Sequence, residues 1–307
     1  MGQLTPLSRR DIFKRHPWLR DRQRPTIIFP GLDGMLSAAF LHHHLGWRVT
    51  GYFENQTLWL SPAAREEWNR LVWVDLDACR PGSRSIGHGV LALGEKVPAA
   101  LKQCCNPNLL AGMGADRIAT RYPFSTIMFL LWLHDVPVRK SLVARLLVLA
   151  AGSVWINLRQ DRENCLQWRE RLPGYDWKWL FTLVEKELFE RRLRDQLLAP
   201  LERLTGRPAD GPVGNSRLRV PGLNLQFNPD WEEDLFLKVS AFAGTHLKWS
   251  PPRPPAISER IEGQRQTMAL AEATRRNFPG NLIGKGAISY ELTGADSLNF
   301  TAFPKEI

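Results

Sequence analysis

The sequence predicts an α/β protein built on a parallel sheet with crossover helices, followed by a smaller C-terminal α+β domain. Three observations carry that expectation. Short apolar segments rich in β-branched and aromatic residues, at 26–29, 47–53 and 71–76, read as strands. Residues 34–45 and 62–70 read as helices between them, and strand–helix–strand–helix–strand in so short a stretch calls for crossover connections and a parallel sheet. Past residue 150 this alternation gives way to a long helical pattern and then to isolated strand-like runs separated by proline-rich chain.

Residues 1–25 form a basic arm, with Arg9, Arg10, Lys14, Arg15, Arg20, Arg22 and Arg24 against Asp11 and Asp21. The strand at 26–29 runs into a Pro-Gly turn, and the helix after it stops at Gly46, a C-terminal stop signal. The apolar runs 124–133 and 142–156 read as two buried helices joined by the polar corner at 134–140. Both are shorter than the roughly 20 residues of a spanning helix, so no membrane association is expected.

Residues 179–204 predict one long amphipathic helix, with Leu180, Leu183, Val184, Leu188, Leu197, Leu201 and Leu204 near helical spacing. Residues 206–221 are rich in Gly, Pro and Arg and read as a loop. Runs at 235–242 and 282–292 suggest strands, on either side of the Pro251-Pro252-Arg253-Pro254-Pro255 linker. The segmentation that follows is an arm at 1–25, a first domain at 26–175, a connecting helix at 176–205 and a C-terminal domain at 206–307.

The 307 residues are 44% hydrophobic and 23% charged, a composition that excludes a disordered chain. The net charge of +10 favours a polyanionic partner, and arginine, with its phosphate-matching fork, supplies 31 of the 41 basic residues. The 12 tryptophans supply apolar bulk first and base-stacking surface second. Cys79, Cys104, Cys105 and Cys165 form no CxxC pair, which argues against a zinc ribbon and for a reduced, cytoplasmic setting. The N-terminus has no apolar stretch of the signal-peptide kind.

The residues that suggest chemistry fall at the ends of the expected strands. Gly31-Leu32-Asp33-Gly34 turns the first strand into its helix, and an aspartate there can hold a divalent metal or simply cap the helix. Val74-Asp75-Leu76-Asp77 closes a second strand, and Ser85-Ile86-Gly87-His88-Gly89 follows with a glycine-flanked histidine. In parallel sheets ligands bind beyond the carboxyl ends of the strands. Carboxylates and a histidine converging there suit Mn2+ or Mg2+, which lowers the pKa of bound water and polarises a phosphoryl oxygen. The adjacent His42-His43-His44 splay about 100° apart on a helix and cannot all bind one ion. Asp116, Arg117 and Arg121 precede the buried helices as groove candidates, and Gly284-Lys285-Gly286 is too short for a phosphate loop.

Asp33-Gly34-Met35-Leu36-Ser37-Ala38-Ala39, followed by Leu45-Gly46-Trp47-Arg48-Val49, resembles the opening of the DHH phosphoesterases. Asn106-Pro107-Asn108, Tyr122-Pro123-Phe124, Leu149-Ala150-Ala151-Gly152-Ser153-Val154 and Arg162-Glu163-Asn164 then resemble, in order, segments of the RecJ-type exonuclease branch. The resemblance implies a DHH-like domain with Asp33, Asp75 and His88 as metal ligands, Asp77 as a further ligand, and Arg84 steadying charge on the phosphoryl group. It also shows departures. Gly31 stands where the family has its first aspartate, Gly87-His88-Gly89 keeps one histidine of the Asp-His-His motif, and Ile156-Asn157 lacks a later aspartate. The run Leu32-Asp33-Gly34 is also similar to the haloacid-dehalogenase opening, but Gly31 occupies the place of that family's nucleophile.

Two functions follow as expectations. The first is a Mn2+- or Mg2+-dependent phosphodiesterase or nuclease acting on single-stranded DNA or RNA, or on short oligonucleotides. The alternative is a catalytically inactive descendant, a nucleic-acid-binding or structural subunit of a larger protein assembly; tryptophan and arginine are both enriched at interfaces.

Overall fold

The structure, a computed structural model, describes residues 5–54, 56–94, 97–205, 233–275, 280–293 and 296–304. Helix α1 (Arg9–Arg15) and a 3-10 turn (Pro17–Arg20) lead to strand β1 (Pro25–Ile28), helix α2 (Leu32–Leu45), strands β2 (Arg48–Glu54) and β3 (Thr57–Leu60), helix α3 (Pro62–Glu66) and strand β4 (Val72–Val74). Strands β5 (Arg84–Ile86) and β6 (Cys104–Cys105) precede helices α4 (Pro107–Leu110), α5 (Thr126–Leu133), α6 (Leu142–Ala150), α7 (Val154–Gln160), α8 (Arg162–Arg171) and α9 (Trp177–Phe181). Helices α10 (Phe189–Leu193), α11 (Ala199–Thr205) and α12 (Glu233–Leu247) follow, then strands β7 (Glu259–Glu262) and β8 (Gln264–Ala269), helices α13 (Leu270–Arg275) and α14 (Gly280–Ile283), and the pair β9 (Ala287–Leu292) and β10 (Ser297–Ala302).

The chain divides into two compact units, and it passes between them several times. One comprises residues 1–9, 30–47 and 123–254; the other comprises 10–29, 48–122 and 255–307. These units cut across the linear segmentation at 25, 175 and 205.

The second unit holds the α/β architecture. Its seven-stranded sheet has the order β6-β5-β4-β1-β2-β3-β7. Neighbours from β6 to β2 are parallel, while β3 and β7 add antiparallel strands at one edge. From the central β1 the chain goes next to β2 on one side, and later to β4 on the other, so a topological switch lies between β1 and β4. Ile27, Phe53, Leu58, Leu60, Leu71 and Trp73 pack a core that Ile288 and Phe303 complete. The separate three-stranded antiparallel sheet has the order β8-β10-β9. Its Ile288 carbonyl accepts from the Cys79 amide, and its Tyr290 hydroxyl donates to the Leu91 carbonyl at 2.6 Å.

The first unit is helical. Every residue of α5 is buried, and α2 packs against α5 and α12. Phe124 stacks on Trp177, with Phe181 beside both. Gly46 ends α2 in the left-handed conformation, at φ 71°, as the sequence predicts. The stretch Leu142–Gln160 has the length and apolar composition of a membrane span, but Gly152 and Ser153, both at φ 58°, break it into α6 and α7.

Several expectations are corrected. The basic arm is folded from residue 9 onward: Ile12, His16, Trp18 and Leu19 are buried, and the Trp18 indole donates to Gln103. The long helix expected over 179–204 is broken, because α9 ends at Phe181 and turns intervene before α10. A π-helical segment at Arg194–Leu198 precedes Pro200, which has no N–H to continue an α-helical ladder. The run 235–242 is helix rather than strand. Over its full length the buried positions Phe236, Val239, Ser240, Ala243, Gly244 and Leu247 keep helical period, which a shorter window hides. The strand expected over 282–292 is confined to β9. The loop at 206–221 lies outside the described residues.

His16 carries a testable consequence. Neither ring nitrogen has a hydrogen-bond partner, and burial, reinforced by Arg15, pushes its pKa down to about 4. The unfolded chain therefore takes up the proton more readily. The stability contributed is complete above pH 6.5 and is lost as pH falls toward 4, by about 2 kcal/mol at pH 5. Urea unfolding at pH 7.5 and pH 5 should show a larger acid loss in the wild type than in His16→Leu.

Candidate metal centre

β4 ends at Val74, and the next residue, Asp75, takes φ 59°. Aspartate is among the few side chains that adopt this left-handed conformation readily. The turn lets the Asp75 and Leu76 amides both reach the Ile86 carbonyl, at 2.8 and 3.4 Å, so the end of β4 is tied to the end of β5. His88 lies two residues beyond β5. Its Nδ1 is 3.8 Å from Asp75 Oδ1, too long for a hydrogen bond and short enough for both atoms to ligate one ion.

The loop that carries His88 is held by Asp77. This buried carboxylate accepts from the amides of Gly89 at 2.7 Å and Val90 at 3.0 Å, from the Asn106 side chain at 3.0 Å and from the Cys104 thiol at 3.0 Å. Gly87 passes so close that a Cβ there would sit 2.6 Å from Asp77 Oδ1 and 2.7 Å from the Leu76 backbone. Asn106 caps α4 by accepting from the Asn108 amide at 2.7 Å, with Pro107 at the first helical position. Asn108 then donates to the His88 carbonyl at 3.0 Å and accepts from the Tyr122 amide at 2.7 Å. The Tyr122 ring meets the imidazole edge-on, with centroids 6.1 Å apart.

Asp33 sits in the first turn of α2 and is buried. Its Oδ2 accepts from the Thr126 amide at 2.7 Å and its Oδ1 from the Ile127 amide at 2.8 Å, while Ser125 Oγ accepts from the Met128 amide at 3.3 Å. The first three N–H groups of α5 are thereby satisfied where no water reaches them. Gly152 lies close by: a Cβ on it would stand 3.0 Å from Ser125 Cβ and 3.5 Å from Asp33 Oδ2.

Phe29 donates its amide to the Val74 carbonyl at 3.2 Å, so the end of β1 is tied to the end of β4, one residue before Asp75. The carboxyl ends of β1 and β4, on the two sides of the topological switch, are where a parallel sheet places its ligand. A carboxylate and an imidazole there are donors that suit Mn2+ more than Mg2+, which binds histidine poorly.

The other expected site residues lie differently. Asp77 is outside the group, its oxygens taken by the four donors that shape the 87–92 loop. Arg84 opens β5, and its guanidinium donates to the Asn69 carbonyl at 2.9 Å. It stands at the amino ends of the parallel strands, whereas Asp75 and His88 follow the carboxyl ends, so its position does not suit the expected role. His42 Nδ1 meets the Trp47 carbonyl, His43 accepts from the Ser250 amide, and His44 packs on Phe40 and Trp249. Asp116 and Arg117 form an exposed pair, and Gly284-Lys285-Gly286 is the turn into β9. Asn108 and Tyr122 acquire a positioning role that sequence spacing alone does not assign.

Comparison of the chain with protein-family models, with curated proteins and with solved structures finds no match.

Asp33→Ala strands two buried amides and should lower unfolding free energy by about 2–4 kcal/mol. Asp77→Asn turns an amide NH2 toward donors and should cost about 2–3 kcal/mol. Urea denaturation of the two variants checks both losses.

Proposed function

We propose that the chain is a divalent-metal phosphoesterase of the DHH kind, acting on single-stranded nucleic acid or short oligonucleotides. The observation that carries this reading is the pair Asp75 and His88, with 3.8 Å between carboxylate oxygen and imidazole nitrogen, just past the carboxyl ends of β4 and β5 in a mostly parallel sheet. Asp75 and His88 would be the principal ligands of Mn2+. The bound ion would supply polarisation of a phosphoryl oxygen and acidification of a water. The protein's own part is to hold the two donors side by side, with the Asp77 and Asn108 networks fixing the histidine loop. The net charge of +10 supports a polyanionic substrate.

A second reading has its own support. Both Asp33 oxygens are engaged by backbone amides, and Asp77 is fully occupied by structural donors, as suits a site whose carboxylates serve the fold. On that reading the chain is a nucleic-acid-binding or structural subunit that performs no hydrolysis.

Purified protein incubated with Mn2+ and end-labelled single-stranded DNA or RNA decides between them. Cleavage that falls by roughly 100-fold or more in Asp75→Asn and in His88→Gln, both folded, supports the phosphoesterase. Cleavage unchanged in both variants would discard this site. Salt-sensitive binding without cleavage would favour the non-catalytic subunit.

A further inference from the structure

The helical unit contains a cleft of about 630 Å³ framed by α7, α8, α9 and the turn that follows α9. Its floor is apolar, from Leu158, Leu166, Phe181 and Val184. Its walls carry four cations, Arg159, Arg162, Arg169 and Lys178, against one lining carboxylate, Glu185. The cations come together for a geometric reason. Arg162, Leu166 and Arg169 lie at i, i+4 and i+7 of α8 and share a face, so α8 presents two guanidinium groups flanking an apolar side chain. Arg159 faces them from α7 and Lys178 from α9.

Two of the four are already paired. Arg162 bridges to Glu185 at 2.6 Å, and Arg159 bridges to Glu190 while its guanidinium lies over the rings of Trp155 and Phe189. Among the described residues Arg169 and Lys178 form no ion pair. Like charges gathered around one cleft repel each other, and two unpaired cations on separate helices are a standing cost that a bound dianion would remove. A single carboxylate would leave that charge half compensated. A phosphate, with a charge near −2 and several acceptor oxygens, matches it, and arginine's fork suits phosphate geometry.

We propose that the α7–α8–α9 cleft binds a nucleotide, its phosphates held by Arg169 and Lys178 and its base and sugar lying over the Leu158, Leu166 and Phe181 floor. The volume is within the range of small-ligand sites. The cations surround one cavity and do not run in file, which favours a small phosphorylated ligand over a polymer backbone. This site shares no residue with the Asp75 and His88 pair and does not depend on the phosphoesterase reading.

The test is calorimetric titration of the full chain, without divalent metal, with ADP, adenosine, inorganic phosphate and a short oligothymidylate. The expected result is saturable one-to-one binding of ADP, at least about tenfold tighter than adenosine or phosphate alone. Arg169→Gln/Lys178→Gln should weaken it by roughly tenfold or more, through loss of charge-assisted hydrogen bonds. Lys178→Glu, a single exposed change, should act in the same direction if the double variant melts early. Asp75→Asn/His88→Gln should bind ADP as the wild type does, so failure of the metal site and failure of this one remain distinct. Absence of ADP binding at millimolar concentration would overturn the proposal. So would equal affinity for adenosine or phosphate, binding unchanged in folded charge variants, or binding of the oligothymidylate without ADP.

Discussion

The hydrogen bonds from the amides of Thr126 and Ile127 to the Asp33 carboxylate hold together more of this protein than their number suggests. α5 is buried over all its residues, so its leading N–H groups have no solvent to turn to. A carboxylate is the strongest acceptor available to them, and negative charge at a helix N-terminus is further stabilised by the helix dipole. Asp33 thereby joins α2 to α5 across 93 residues of sequence. Gly152 is confined beside the same contact, since a side chain there would press on Ser125. The acid that the sequence marks as a metal ligand is also a structural keystone of the helical unit, and variants of Asp33 alone report on folding before they report on chemistry.

The sheet unit repeats this economy with different residues. Asp77 gathers two amides, a side-chain amide and a thiol, and so converts an irregular stretch after β4 into a fixed loop. Asn106 and Asn108 extend the network to the His88 carbonyl and the Tyr122 amide. A buried polar network of this kind is rigid when complete and costly when broken. Its completeness is what gives His88 a defined position next to Asp75. Neighbouring acids thus divide the work: Asp77 and Asp33 hold backbone amides, and Asp75, turned at positive φ, lies beside His88.

That division bears on both functional readings. A phosphoesterase would need donors held at ligand distance before the ion arrives, and the Asp77 network holds His88 beside Asp75. A non-catalytic descendant would keep the same acids for their backbone partners alone.

Much of the architecture is legible in local pattern. The strands near 26–29 and 71–76 and the helix that stops at Gly46 follow from short continuous apolar runs and a left-handed C-terminal glycine, both properties of a few consecutive residues. The acids Asp33 and Asp75 and the histidine His88 are legible for the same reason, since each lies within five residues of a strand end. What a short window cannot decide is which distant groups meet. β3 pairs antiparallel with β2 and β7, and β5 and β6 are too short to carry a period. The run at 235–242 shows its helical period once it is read to Leu247. Arg84 and Asp77 resemble Asp75 and His88 in sequence position, yet parallel strand direction sends Arg84 to the amino ends and four long-range donors claim Asp77. Sequence by itself determined the first strands, the helix that ends at Gly46 and the candidate acids. Tertiary structure decided which of those acids meet a backbone amide, because a carboxylate's role is set by the donors that surround it.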